Sequence, residues 1–199
     1  DELVALIADI KPTIPPYCRV NRIIRDIPSN HVVEGNKRTS LRQDVQIELI
    51  KRGQSCQCIR CREVKTHNVE FENLVLNDFI YTPSSAEEHF LNYTTPEDRI
   101  AGYLRLSLPS KDAPAMNLPD LEHAALIREV HVYGQSLPVG VEKEGAAQHI
   151  GLGTGLLQCS EEIAREKGFK QLAVIAAIGT RQYYASRGFH VGELYMTKN

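Results

Sequence analysis

Residues 148–157 read "QHIGLGTGLL" and set three glycines, Gly151, Gly153 and Gly155, in alternate positions just ahead of an apolar run. Glycine costs conformational entropy and weakens a helix. A chain that spends three of them where a helix begins needs bare backbone there. The first turn of a helix leaves amide groups unpaired, and the helix dipole gives them partial positive charge. With no side chains in the way, a pyrophosphate can reach those amides. A P-loop is excluded, because no Lys-Ser/Thr follows the glycines, and the spacing is not the G-x-G-x-x-G of a dinucleotide-binding fold.

The flanking pattern limits the fold further. A strand, "AALIREVHVYG", precedes the glycines. A helix is expected over about residues 152–167, then a buried strand "QLAVIAA", a helix "TRQYYASRG" and a last strand "FHVGELYMT". Upstream, "VEFENLVLNDFIY", "EEHFLNYTT" and "RIAGYLRLSL" are rich in β-branched and aromatic residues and read as strands. The order is that of an α/β chain. The first third differs. "DELVALIADI" reads as a short helix ended by the prolines of "KPTIPPY", and "RVNRIIRDIP" as an extended segment. "LRQDVQIELIKRG" places Leu41, Val45 and Leu49 on one helical face, with Gly53 as the C-terminal cap. Two domains are expected, 1–65 and 66–199.

Charge divides at the same place. Residues 1–65 hold 12 Lys/Arg and 8 Asp/Glu, a net of +4; residues 66–199 hold 11 and 17, a net of −6, which together give the −2 of the whole chain. The basic candidates are Arg19, Arg22, Arg25, Lys37, Arg38, Arg42, Lys51 and Arg52, and they are expected to meet the phosphates of a nucleic acid. Tyr17 is the one aromatic among them, so backbone and shape reading is expected rather than base stacking.

The cysteines give the second signal of the first third. Cys56, Cys58 and Cys61 form C-x-C-x-x-C, three thiols in six residues. A closed structural zinc site takes four tetrahedral ligands. Cys18 is the candidate for the fourth, with His67 and His31 as weaker ones, and Cys159 reads as a core residue. An odd number of cysteines, five, fits a reducing compartment rather than a disulfide framework. With no signal-like leader and no apolar run of membrane length, a cytoplasmic location is expected.

Two motifs carry a resemblance. Q-x-x-G-x-G (Gln148, Gly151, Gly153) resembles the acetyl-CoA motif of the GNAT acetyltransferase superfamily, and Y-x-x-x-G-F (Tyr184, Gly188, Phe189) resembles the helix that follows it in that fold. Together with "IREVHVYG", "AVIAAIGTRQYYASRGF" and "PPYCRVNRIIRDIP", nearly the whole chain resembles the C-terminal half of the Elongator catalytic subunit family. That family modifies the wobble uridine of tRNA with a radical-SAM domain and an acetyltransferase domain.

The resemblance implies a GNAT fold, α/β (α+β) with a mixed, mostly antiparallel sheet, behind a small zinc-stabilised basic module. It implies acetyl-CoA and tRNA as substrates. Backbone around His149, Ile150, Leu152 and Thr154, with Gln148 and the three glycines, would hold the pyrophosphate. The strand edge at Val130 and Val132 would receive the pantetheine arm. Tyr184 would protonate the departing thiolate, beside its paired Tyr183. Glu129 and His131, on one face of their strand, are candidate bases or water-positioning groups. The family's radical-SAM cysteine motif is not in this sequence. The 4Fe-4S cluster and S-adenosylmethionine are therefore expected to belong to a missing N-terminal domain, of which a start at Asp1 is the companion sign. A protein lysine acetyltransferase and a non-catalytic tRNA-binding module are the alternative readings.

Overall fold

The computed structural model describes residues 2–24, 28–35, 37, 40–65, 69, 71–133 and 147–199, with the side chains of 71 and 147–150 left aside. The chain divides into two compact units, Asp1–Glu63 and Val64–Asn199.

The first unit is helical. Helix α1, Glu2–Ile10, ends where Lys11 and Pro12 open a short 3-10 turn, because proline can start a helical turn but cannot continue the preceding one. Helix α2, Leu41–Lys51, buries Leu41, Val45 and Leu49, as their spacing predicts. It ends at Gly53, whose φ of +63° suits glycine, while the Gln54 amide closes back on the Leu49 carbonyl at 2.9 Å. A third helix, α3, is one turn long, Ile59–Arg62, and Cys58 precedes it. Ala8, the three α2 residues, Cys56 and Cys58 form the core of this unit. The described part of "RVNRIIRDIP", up to Ile24, forms no strand.

The second unit is built on one seven-stranded sheet in the order β1-β2-β3-β4-β5-β7-β6. Strands β1 (Val75–Tyr81), β2 (Ala86–Thr94), β3 (Ile100–Pro109) and β4 (Ala124–Val132) form an antiparallel meander. Helix α4, Ala147–Glu166, leads to β5, Gln171–Val174, which joins β4 in parallel. Helix α5, Arg181–Ala185, is followed by β6 (His190–Val191) and β7 (Met196–Lys198). The expected single last strand is thus a hairpin, turning through Gly192–Tyr195, whose amide and carbonyl bond at 2.8 Å.

One face of the sheet carries the core. Leu91, Leu104, Leu106, Ala125, Ile127, Leu172 and Val174 pack with Leu156 and Leu157 of α4, Tyr184 of α5, Phe189 and Met196. Asp120, in the loop before β4, accepts the Leu194 amide at 2.8 Å and the Tyr195 amide at 3.0 Å and so fixes the last hairpin. Among the described residues no helix is long and apolar enough to cross a membrane.

Candidate functional site

The first element of the site is a divergence of strands. Strand β4 stays paired with β3 from Leu126 to Val132, but with β5 only from Ala124 to Ile127. A register shift at Arg105/Leu106 marks the β3–β4 ladder where the divergence begins. Such an irregularity bends a strand and re-aims its side chains. From Arg128 to Val132 the edge of β4 that faced β5 has no strand beside it among the described residues, and a backbone edge of that kind can pair with an extended ligand.

Helix α4 follows β4 in the chain, and it begins five residues earlier than the sequence predicts, at Ala147 rather than near Leu152. The glycines therefore lie inside the helix and not in a loop ahead of it. Alternating glycines weaken helix propensity, but burial of Leu152, Leu156 and Leu157 outweighs it. The amides that find no acceptor within a helix are those of its first four residues, here 147–150, which include Gln148, His149 and Ile150. The side chains of these three lie outside the described residues. Gly151 is exposed.

Gly153 and Gly155 have a second reason to lack side chains. A Cβ on Gly153 would overlap the Tyr183 hydroxyl. A Cβ on Gly155 would stand 2.5 Å from the Tyr93 hydroxyl. Two tyrosines, from α5 and β2, thus reach the helix backbone close together. Tyr93 was not legible as a site residue in the sequence; only its place on the helix-facing side of β2, in phase with Leu91, points to it.

Helix α5 supplies the paired tyrosines. Tyr184 is buried and meets Phe189 edge-on at 5.6 Å, while Tyr183 is half-buried and crosses Tyr184 edge-on at 5.2 Å. Burial pushes the Tyr184 phenol above its ordinary range; Tyr183 adds to the shift and Arg187 opposes it. Burial likewise raises Tyr183 against the pull of Arg187. Both are neutral proton donors at physiological pH. Arg187 lies 3.7 Å over the Tyr183 ring and donates to Thr154 Oγ1 from Nε at 3.2 Å and from Nη2 at 3.0 Å. It also donates to the Tyr183 carbonyl at 2.8 Å, and so fastens α5 to the glycine turn of α4.

On the other face of β4, Glu129 and His131 do point the same way. Glu129 accepts from the Tyr103 hydroxyl at 2.5 Å and from Arg105 Nε at 3.1 Å, so both its oxygens are engaged. The His131 ring stacks on Tyr103 at 5.7 Å and meets Tyr133 at 4.5 Å. Val130 and Val132 alternate with them along the diverging edge, opposite Leu104 and Gly102 of β3.

In the first unit the sulphurs of Cys56, Cys58 and Cys61 all lie within 4.8 Å of one another. The donor set fits a thiophilic metal. Hydrogen bonds from Cys56, then Cys61, hold the Cys58 thiol well below its ordinary range, and Cys56 is raised in return. The structure does not bring Cys18 Sγ into the group; Cys18 contributes its carbonyl, which accepts the Ile59 amide at 2.9 Å. His31 is not in the group either, and His67 lies outside the described residues.

Of the basic candidates, Arg25 and Arg38 lie outside the described residues. Arg42 caps the Val20 and Asn21 carbonyls, Arg52 pairs with Asp9 and Glu48, and Arg19 pairs with Glu63. Arg22, Lys37 and Lys51 are exposed.

A meander of four antiparallel strands, a fourth strand that splays from a parallel fifth, and a helix carrying the glycine motif after it are the α/β arrangement that the resemblance to the GNAT fold implies. The chain is similar over 98% of its length, with a TM-score of 0.82 and 32% identity, to the solved structure of Elp3 from Methanocaldococcus infernus, of which it covers 47%. It is 38% identical over 201 residues to a tRNA uridine(34) acetyltransferase of Dehalococcoides mccartyi, and 38% identical over 207 residues to Elongator complex protein 3 of Drosophila melanogaster. Those alignments take in 99% of this chain but 44% and 36% of the relatives, so the chain spans less than half their length. No family model matches. The chain belongs with the Elongator protein 3 and tRNA uridine(34) acetyltransferase family, and it corresponds to less than half the length of those members.

Proposed function

We propose that this chain is the acetyl-CoA-binding, acetyl-transferring portion of a tRNA wobble-uridine modifying enzyme. The observation that carries the reading is the parting of β4 from β5 after Ile127, with α4 following β4 in the chain and Tyr183 against its glycine turn. The pantetheine arm extends along β4 from Arg128 to Val132. Its amides bond the strand's unpaired edge at Val130 and Val132. The pyrophosphate meets the first turn of α4, where Gln148, His149 and Ile150 present unpaired amides and Gly151 leaves room. Leu152, Gly153, Thr154 and Gly155 shape the helix face beneath it.

At the thioester, a water or another nucleophile attacks the carbonyl carbon, the C–S bond breaks, and a tyrosine hydroxyl gives its proton to the leaving sulphur. Tyr184 fills that role in the resembled fold, and its raised pKa keeps the proton available. Tyr183 fixes the helix-facing wall. Glu129, held by Tyr103 and Arg105, orients the attacking group rather than serving as a free base, and His131 lines the same face. In the complete reaction the acceptor is a carbon of uridine. The cluster and S-adenosylmethionine needed to make that carbon reactive belong outside these residues.

The three cysteines hold a structural zinc ion that stabilises the first unit, and the exposed cations Arg22, Lys37 and Lys51, with Arg25 and Arg38, bind the tRNA backbone. The test is acetyl-CoA turnover by a protein containing this chain, with and without tRNA. A tRNA-stimulated rate supports the reading. A rate that follows lysine peptides instead makes it a protein acetyltransferase.

A further inference from the structure

Arg128 is an extra residue in its strand. Across the β3–β4 ladder Arg105 stands opposite Glu129 and Leu106 opposite Ile127, so the register leaves Arg128 without a partner. A bulge of this kind bends its strand and re-aims the side chains beside it. Strict alternation would send Arg128 and Glu129 to opposite faces of the sheet. Here Glu129 meets Arg105 of β3, and Arg128 reaches over β3 to Glu88 of β2, Nη1 to Oε1 at 3.1 Å. Glu88 shares the face of Arg105, for it lies two residues before Phe90, whose ring has the Arg105 guanidinium over it at 5.4 Å. Tyr81 of β1, opposite Glu88, adjoins both pairs. Burial pushes its phenol up, Glu88 adds to the shift, and Arg105 and Arg128 oppose it.

Stability does not account for this arrangement. Glu88 is 3% exposed, and its Oε2 has no hydrogen-bond partner among the described residues. Taking a carboxylate out of water is costly, and an unmet acceptor adds to the cost. A buried ion pair adds little net stability, and apolar residues of similar size commonly do as well. The bulge disrupts the ladder besides. These costs all fall at one place, where β4 leaves β5 after Ile127 and where Glu129 stands.

We propose that Glu88 and Arg128 are positioning residues for the reaction at the β4 cleft. Their ion pair fixes the bulge, and the bulge aims the Glu129 carboxylate that Tyr103 and Arg105 hold. Without the pair, the bulge can slide past Glu129. Arg128 would then stand opposite Arg105, and Glu129 opposite Leu104, whose side chain belongs to the core on the other face. A slip of one residue turns a side chain to the opposite side of the sheet, so Glu129 would leave the cleft. The inference rests on reading Glu129 as the group that orients the attacking nucleophile.

The experiment is a double-mutant cycle on CoA release by a protein containing this chain. Arg128 is exposed, so Arg128→Ala should stay folded. It should lower kcat at least about tenfold, as a misplaced group does. Arg128→Lys returns a cation to Glu88 and should recover part of the loss. Glu88→Leu removes the buried charge together with its unmet oxygen. It should lower kcat as far as Arg128→Ala does without lowering the melting temperature. In a Glu129→Ala background neither substitution should cost more than about twofold further, because the group they position is gone. Equal losses in the two backgrounds overturn the proposal, since general loosening acts on both alike. So does a wild-type kcat in Arg128→Ala, or an Arg128→Lys no faster than Arg128→Ala. Glu129→Ala turning over at the wild-type rate overturns the reading of Glu129, and this inference with it. A slow Glu129→Ala beside a normal Arg128→Ala overturns the inference alone.

Discussion

The Tyr183 hydroxyl occupies the space where Gly153 would carry a Cβ. The relation explains why a helix tolerates glycine at a buried position and ties the glycine motif to the tyrosine pair. It gives a prediction in which the smallest possible change has a large effect. Gly153→Ala should raise helix propensity and yet displace Tyr183, because the overlap falls on the hydroxyl end of a ring pinned by Arg187. The expected result is a turnover of acetyl-CoA lowered at least about tenfold, roughly 1.4 kcal/mol in the barrier. Gly153→Ala combined with Tyr183→Phe should recover part of the loss by removing the clashing oxygen. Normal turnover in Gly153→Ala would show that Tyr183 has room to move without consequence.

Arg187 should act as a positioning residue. Its guanidinium spans the Tyr183 ring, the Tyr183 carbonyl and Thr154. Arg187→Ala should lower kcat with a smaller change in KM, since it leaves the β4 edge intact and loosens α5. Arg187→Lys keeps charge but loses the planar fork, and should rescue poorly. Steady-state kinetics on the two variants distinguishes this from general destabilisation, which thermal melting reports separately.

Tyr184→Phe should bind acetyl-CoA nearly normally and turn it over on the order of 10²-fold more slowly, the contribution of a positioned acid. The phenol pKa is raised in the folded state by burial. The protonated form is therefore the favoured one, and its stabilising contribution is present below the unfolded pKa of about 10 and lost only as pH rises through the higher folded value. A pH–rate profile should show no falling limb owed to Tyr184 below pH about 10. A limb near neutrality that disappears in Tyr184→Phe would contradict this.

Asp120 has the opposite sign. Hydrogen bonds from the Tyr195 and Leu194 amides hold its carboxyl below the usual range. That contribution is present above the unfolded value of about 3.9 and lost as pH falls through the depressed folded value. Asp120→Asn should flatten the acid limb of a thermal-stability profile below pH about 4 and loosen the last hairpin, read by hydrogen exchange at Leu194 and Tyr195. An unchanged acid limb and unchanged exchange would remove Asp120 from that role.

Replacing Arg22, Lys37 and Lys51 together with alanine should weaken tRNA binding across tRNA species and flatten its salt dependence by about three charges' worth of counterion release. All three are exposed. Arg42, which caps Val20 and Asn21, should destabilise the first unit instead when replaced. Filter binding over a salt series and thermal melting read the two effects. Equal salt slopes for wild type and the triple variant would place the tRNA footprint elsewhere.

Much of the arrangement was legible because it rests on local rules. Leu41, Val45 and Leu49 announce α2 by spacing alone, and Gly53 announces its end. The alternation along β4 places Glu129 and His131 on one face. What was not legible is what distant residues do to one another. The start of α4 at Ala147 is set by the burial of Leu152, Leu156 and Leu157, which overrides the low propensity of three glycines. The split of the last strand into β6 and β7 follows from Asp120, distant in the chain, seizing the Leu194 and Tyr195 amides. Nothing in the sequence singles out Tyr93 or Lys11. Only the fold brings one to Gly155 and the other to the cysteine sulphurs. The basic count did not show that Arg19, Arg42 and Arg52 are engaged within the unit.

The central claim is that this chain transfers or hydrolyses the acetyl group of acetyl-CoA in the service of a tRNA. The most direct measurement is release of free CoA from acetyl-CoA by a protein containing the chain, with tRNA, with a lysine peptide and with neither. The account predicts a rate stimulated by tRNA, indifferent to the peptide, and lost in Tyr184→Phe with acetyl-CoA binding retained. A rate stimulated by peptide and not by tRNA, or no acetyl-CoA binding at all, would contradict it.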